Sequence, residues 1–129
     1  MDYLLDTHVF LWADAEPAKL SAKVRGILTD RSNRFFLSAA SVWEMQIKHQ
    51  MGKLPLRLSL EKIISEHVAR QSIQTVPVEL RHIYDLALLP DLHKDPFDRL
   101  IVSTARCGKF TVISADHLVQ QYPSVTVVW

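Results

Sequence analysis

The sequence predicts an α/β fold: a central, mainly parallel sheet of about five short strands flanked by helices. Three observations predict it. Short apolar runs alternate with longer segments of helical period, the pattern of a sheet covered by helices. The apolar runs are each bounded by turn or cap residues, so they end as strands rather than continuing as helices. The chain has 129 residues, of which 48% are hydrophobic and 22% charged, a globular composition of one-domain size. Alternation of this kind argues for a doubly wound parallel sheet with right-handed crossovers.

The elements follow in chain order. Tyr3-Leu4-Leu5 is the first strand, and Asp6 ends it before a short apolar helix. Leu20 to Leu28 is helical, Phe35-Phe36-Leu37 is the second strand closed by Ser38, and Ala40 to Met51 is the next helix. Leu60 to Arg70 is another helix, Ile73 to Val76 the third strand, and Glu79 to Leu88 a further helix. Asp95-Pro96 marks a helix start, with Asp95 as N-cap and Pro96 in the first turn. That helix runs from Phe97 to Arg106, Gly108 supplies a C-cap, and Lys109 restarts the chain. Thr111-Val112-Ile113 and Thr126 to Val128 are the last strands. Pro55 and Pro90 mark turns, and no repeat or linker appears, so residues 1–129 are expected to form a single domain.

Composition removes several function classes. Cys107 stands alone, which excludes an internal disulfide and a cysteine-based zinc site and fits a reducing cytoplasm. The apolar stretch near Met1 is interrupted by Asp2 and Asp6, so no signal peptide is expected, nor any membrane span. A formal net charge of +1 does not announce a nucleic-acid binder. The basic residues are scattered: Arg31 and Arg34, then Lys48, Lys53 and Arg57 around Gly52, then Lys94, Arg99, Arg106 and Lys109.

The acidic residues say more. In parallel sheets ligands gather outside the carboxyl ends of the strands, and Asp6, Ser38 and Asp116 all fall just after strands. Asp6 and Asp116 read equally as helix N-caps. Glu44 shares a helical stripe with Ala40, Ile47 and Met51 and should point inward. Two other readings of Glu44 remain open: a capping box with Ser41, and an i,i+4 ion pair with Lys48. Asp98 lies on the face of Ile101, Val102 and Ala105, with Arg99, Ser103 and Arg106 on another. If four carboxylates share one rim at about 5 Å, each pair repels by about 3 kcal/mol at an effective dielectric near 20. A divalent cation relieves that repulsion, and all-oxygen ligands suit Mg²⁺ or Mn²⁺ rather than zinc. Such a site activates water for phosphodiester hydrolysis. His8, His93 and His117 lack zinc-helix spacing and read as supporting or surface residues.

Four stretches carry a resemblance: Leu4-Leu5-Asp6-Thr7-His8, Ser38-Ala39-Ala40-Ser41-Val42-Trp43-Glu44-Met45, Asp95-Pro96-Phe97-Asp98-Arg99-Leu100-Ile101 and Ile113-Ser114-Ala115-Asp116. Together, with Lys48 and Gly52-Lys53-Leu54 after the second, the chain resembles the PIN-domain family, in particular the VapC-like toxins of type II toxin-antitoxin pairs. The resemblance implies that Asp6, Glu44, Asp98 and Asp116 are catalytic metal-binding residues, with Thr7 the small hydroxyl residue beside the first. It implies Mg²⁺- or Mn²⁺-dependent endoribonuclease activity on RNA, a homodimer, and inhibition by a cognate antitoxin whose tail lies across the acidic groove. An apolar groove for that segment is expected near Phe10, Leu11 and Trp12. Asp95 matches only relatives with the longer Asp-Pro-Phe-Asp-Arg form.

Three other functions compete. A catalytically inactive PIN-fold module would bind RNA or protein, but all four acidic residues are present. A Mg²⁺-dependent phospho-acceptor signalling domain lacks here its adjacent acidic pair after the first strand. A haloacid-dehalogenase-like phosphatase wants a second Asp where this chain has His8.

Overall fold

The computed structural model describes residues 1–129, and its five strands form one sheet in which every neighbouring pair is parallel. They are β1 (Asp2–Leu5), β2 (Arg34–Ser38), β3 (Gln74–Val76), β4 (Thr111–Ile113) and β5 (Val127–Val128), in the order β3-β2-β1-β4-β5. The chain winds outward from β1 through β2 to β3, then returns to lay β4 against the other side of β1. That reversal opens a crevice at the carboxyl ends of β1 and β4, the topological switch point where open α/β sheets bind ligands.

Period-two alternation sends successive strand residues into different cores. Tyr3, Leu5, Phe35, Leu37 and Ile113 bury into one core with Val9, Phe10, Val24, Met45 and Ile63. Leu4 and Val112 bury into the other with Ile101, Val102, Ala105, Val119 and Tyr122. Helices α1 (Thr7–Ala15), α2 (Ala22–Thr29), α3 (Ala39–Gln50) and α4 (Leu60–Gln71) supply the first core, and α6 (Pro96–Gly108) and α7 (His117–Gln120) the second. No helix is long and apolar enough to cross a membrane.

Several expectations need correction. The helix expected over Glu79 to Leu88 is α5 (Leu80–Asp85) followed by a 3-10 turn at Leu86–Leu88. Leu89 precedes Pro90 and is extended, as sterics at Pro Cδ require, so the helix tightens and stops. Gly108 is not the left-handed cap of α6, because Lys109 takes that conformation with φ 56°. A Cβ on Gly108 would lie 2.3 Å from the Phe110 ring, so close packing is what this glycine permits. Ser103, on a different face of α6 from Asp98, is buried as well. Helix α5 covers it, and its single hydroxyl proton is shared between the carbonyl of His82 and Asp85 Oδ2. Phe10 is core, edge-on to His67, and lines no groove. Met51 lies beyond α3 and is exposed, so the inward stripe of Glu44 ends before it.

Candidate active site

Each candidate carboxylate is placed by an element end or an inward helix face at the switch point. Asp6 leaves β1 and caps α1: Oδ1 accepts from the Thr7 N–H at 2.7 Å, and Oδ2 accepts from the Ser114 hydroxyl at 2.6 Å. Asp116 caps α7 by accepting from the Leu118 N–H at 2.8 Å, while its own N–H donates to Ser114 Oγ at 3.0 Å. Ser114, fully buried at the end of β4, therefore ties the first and last carboxylates together. Capping and convergence are thus compatible, since a cap uses one carboxylate oxygen and leaves the other for a second partner, Ser114 at Asp6 and His93 at Asp116.

Glu44 is buried on α3 at 3% exposure, and it forms no capping box. The helix begins at Ala39 with Ser38 as its cap, so Glu44 lies in the second turn, past the free N–H groups. The i,i+4 pair does form, with Lys48 Nζ 2.8 Å from Glu44 Oε2. Glu44 Oε1 is left buried with no partner, as are the hydroxyls of Thr7 and Ser41. Native proteins pair nearly all such groups, so an orphaned carboxylate oxygen points to something the chain itself does not supply.

Asp98 stands in the first turn of α6, whose cap is Asp95 accepting from the N–H groups of Phe97 at 2.8 Å and Asp98 at 3.4 Å. Burial pushes the Asp98 carboxyl up to about 7, and the charges of Asp6, Asp95 and Glu44 push the same way against His93. Burial also raises Asp6, more than its bond from Ser114 lowers it. Burial raises Asp116 as well, but the His93 hydrogen bond and the α7 N–H groups outweigh it and hold this carboxyl below its usual value. Lys48 is raised first by Glu44, and it also feels Asp95 and Asp98. The charges of Asp6 and Glu44 thus reach Asp98, and that of Asp116 reaches Asp6, but of the four only Asp98 and Asp116 join a set, together with His93, whose ligand atoms lie within 4.8 Å of one another.

The sequence left His93 as either a supporting or a surface residue; it is the former, with its Nε2 3.0 Å from Asp98 Oδ2 and 3.1 Å from Asp116 Oδ2. One ligand atom each of His93, Asp98 and Asp116 fits within 4.8 Å of the others. No spacing signal marked His93, because it reaches the site from a loop. A groove begins beside Asp6 at Thr7 and His8 and runs past Leu11, Trp12 and Leu54 to Arg57, with Lys48 and Lys53 on its walls.

The PIN domain family model matches residues 3–123. No curated protein matches the chain. Solved structures share its fold at low identity. VapBC2 from Rickettsia felis, bound to a DNA fragment from its promoter, has a chain with 15% identity and TM-score 0.76, covering 99% of this chain and 98% of that one. DNA-bound VapBC from Salmonella typhimurium gives 12% identity and TM-score 0.67, with 99% and 97% covered. FitAcB from Neisseria gonorrhoeae gives 18% identity and TM-score 0.65, with 98% and 96% covered. With that family model spanning nearly its whole length and five parallel strands meeting at an acidic switch point, the chain belongs to the PIN domain family.

Proposed function

We propose that this chain is a divalent-metal-dependent endoribonuclease acting as the toxin of a type II toxin-antitoxin pair, with residues 1–129 forming one catalytic domain. PIN domains are generally nucleases, and PIN nucleases use divalent metals. The observation that carries the metal reading is the unmatched charge. Asp98 is pushed to about 7 by burial and neighbouring carboxylates, and Glu44 Oε1 is buried without a partner. A hard cation held by Asp6, Glu44, Asp98 and Asp116 fits this donor set, and Mg²⁺ or Mn²⁺ is the natural occupant.

When bound there, the cation supplies a hydroxide-like nucleophile near neutral pH and stabilises charge on the phosphoryl oxygens. The chain's own groups orient the reaction. Thr7 N–H and Ser114 Oγ hold Asp6 in one rotamer. Lys48 fixes Glu44 from the outer side and puts a positive charge beside the path of a phosphate. The Thr7 hydroxyl, free of any partner, has a proton to donate to a phosphoryl oxygen.

The neighbouring structures are of VapBC and FitAcB, both VapBC structures bound to DNA, which supports an antitoxin as partner here. The groove past Leu11, Trp12 and Leu54 suits a partner segment that presents apolar anchors. We place the protein in the cytoplasm as a homodimer. The test is incubation of the purified chain with total RNA and with DNA of both strandedness, in Mg²⁺, Mn²⁺ or EDTA. The expected result is internal cleavage of RNA that EDTA abolishes. Binding without cleavage in either metal overturns the enzymatic reading, and cleavage of DNA alone overturns the substrate.

A further inference from the structure

His93 is not one of the four carboxylates, yet every polar atom it carries toward the site has a fixed partner. Its backbone N–H donates to the hydroxyl of buried Tyr122 at 3.2 Å. The loop before it is tied down by Arg99, whose guanidinium donates to the carbonyls of Leu86 at 3.1 Å and Pro90 at 3.2 Å. The ring is thus held between the start of α6 and the start of α7.

The two ring nitrogens have different neighbours, and one of them settles the tautomer. The Asp95 N–H points at His93 Nδ1 at 3.1 Å. A backbone N–H only donates, so Nδ1 must be the accepting nitrogen and the ring proton sits on Nε2. Nε2–H then faces Asp98 Oδ2 and Asp116 Oδ2, at 3.0 and 3.1 Å. A nitrogen that carries its proton has no lone pair for a metal. With Nε2 free, His93, Asp98 and Asp116 would form a mixed nitrogen and oxygen set of the kind that favours zinc. With Nε2 protonated, the site offers oxygen ligands only.

We propose that His93 is a positioning residue whose tautomer is locked by the Asp95 N–H, so that it holds Asp98 and Asp116 in register and withholds itself as a ligand. The inference rests on reading these carboxylates as the metal site, and it adds a reason for that site to select Mg²⁺ or Mn²⁺ over Zn²⁺. Partners that orient metal ligands in this way typically carry about 10- to 100-fold in metal affinity.

The experiment uses the full chain and two measurements. Long-range ¹H–¹⁵N correlation of ¹⁵N-histidine-labelled protein should show His93 with an unprotonated Nδ1 and a protonated Nε2, both without metal and with Mg²⁺. Calorimetric titration with Mn²⁺ then compares His93→Leu, which has no donor, with His93→Gln, whose amide places an N–H near the position of Nε2. The expected loss in His93→Leu is about 10-fold or more, with His93→Gln returning most of it and both variants melting close to wild type. A protonated Nδ1, a shift of Nε2 to a metal-bound resonance on adding Mg²⁺, or equal affinities in the two variants overturns the proposal. Wild-type protein that binds no Mn²⁺ overturns the metal reading itself, and this proposal with it.

Discussion

Helix α1 has an aspartate near each end, and the two are treated in opposite ways. Asp14, near its C-terminus, is matched completely. Its Oδ1 accepts from Arg57 Nη2 at 2.7 Å and lies 2.9 Å from His67 Nε2, and Arg57 Nε reaches both carboxylate oxygens at 3.1 Å. Burial pushes this carboxyl up, but Arg57 and His67 outweigh it and hold it below its ordinary value. Asp6, at the N-terminus, is buried and raised, and its charge is felt by Asp98, itself raised to about 7. Around Asp14 every negative charge has a cation from the chain. Around Asp6 and Asp98 the chain supplies Lys48, which pairs with Glu44, and the imidazoles of His8 and His93, and these do not offset burial and the repulsion between carboxylates. A carboxylate cluster that folding alone requires is neutralised internally, whereas one left unmatched needs a partner from outside.

The strongest way to break this contrast is substitution on each side. Asp98→Asn is expected to lower RNA cleavage by about 100-fold or more, equivalent to roughly 3 kcal/mol of transition-state stabilisation. Its metal-free melting temperature should equal or exceed wild type, because a raised, repelled charge has been removed. A variant that melts well below wild type and still cleaves would assign Asp98 to the fold instead.

Metal and pH come next. Mn²⁺ at about 100 times its Kd should stabilise the fold by about 2.7 kcal/mol, or roughly 10 °C for a chain of this size. Without metal, the acidic site should make stability fall as pH rises from about 4 to about 7. Folded Asp98 keeps its proton up to about 7 and the unfolded chain loses it near 3.8, so the stabilisation present at low pH disappears through that window. Asp6 contributes with the same sign. Asp14 has the opposite sign: its stabilisation is complete above its unfolded value and lost as pH falls through the lowered folded one. Melts from pH 3.5 to 8 with and without Mn²⁺ separate the regions. Metal should flatten the upper limb and leave the acid limb unchanged.

This contrast was half legible in the sequence. The strands were readable because buried parallel strands are short apolar runs with abrupt ends. Asp98 was readable because a charge falls on the stripe of Ile101, Val102 and Ala105. The matched cluster was not. Asp14, Arg57, His67 and Glu66 come from three separate segments, and nothing local announces that they meet. For the same reason the sequence could not decide whether His93 supports the site or only lies on the surface, since its placement depends on the backbone N–H of Asp95 and on a loop that Arg99 shapes. Phe10 misled because a short helix apolar on most sides gives no periodic sign of which side is covered. Glu44 misled toward a capping box because Ser41 and Glu44 have the spacing, while the helix starts two residues before Ser41.

Substituting the matched side should cost the fold and spare the chemistry. Asp14→Ala leaves Arg57 and buried His67 without their shared acceptor, and the loss is expected at about 1–3 kcal/mol. Cleavage per folded molecule should stay within about threefold of wild type, since less than 1 kcal/mol of transition-state energy is involved. Denaturant unfolding measures the first and single-turnover cleavage the second. A large rate loss in correctly folded Asp14→Ala would show that the groove beside Arg57 participates in catalysis.

The smallest effect belongs to Asp95, which stands between the two regions because it caps α6 like a structural residue and repels Asp98 like a member of the acidic site. Two substitutions divide these roles. Asp95→Asn keeps a side-chain oxygen for the Phe97 and Asp98 N–H groups, so its metal-free stability near neutral pH should match or slightly exceed wild type. Asp95→Ala removes the cap and should cost about 1 kcal/mol, roughly 3–5 °C in melting temperature. Both remove the same negative charge, so both should shift the pH-dependent limb assigned to Asp98 toward lower pH by the same amount. Both should also lower cleavage by less than Asp98→Asn does. If Asp95→Asn instead lost as much activity as Asp98→Asn while keeping its cap, Asp95 would join the metal-holding carboxylates, and the boundary between matched and unmatched charge would run before α6 rather than through its first turn.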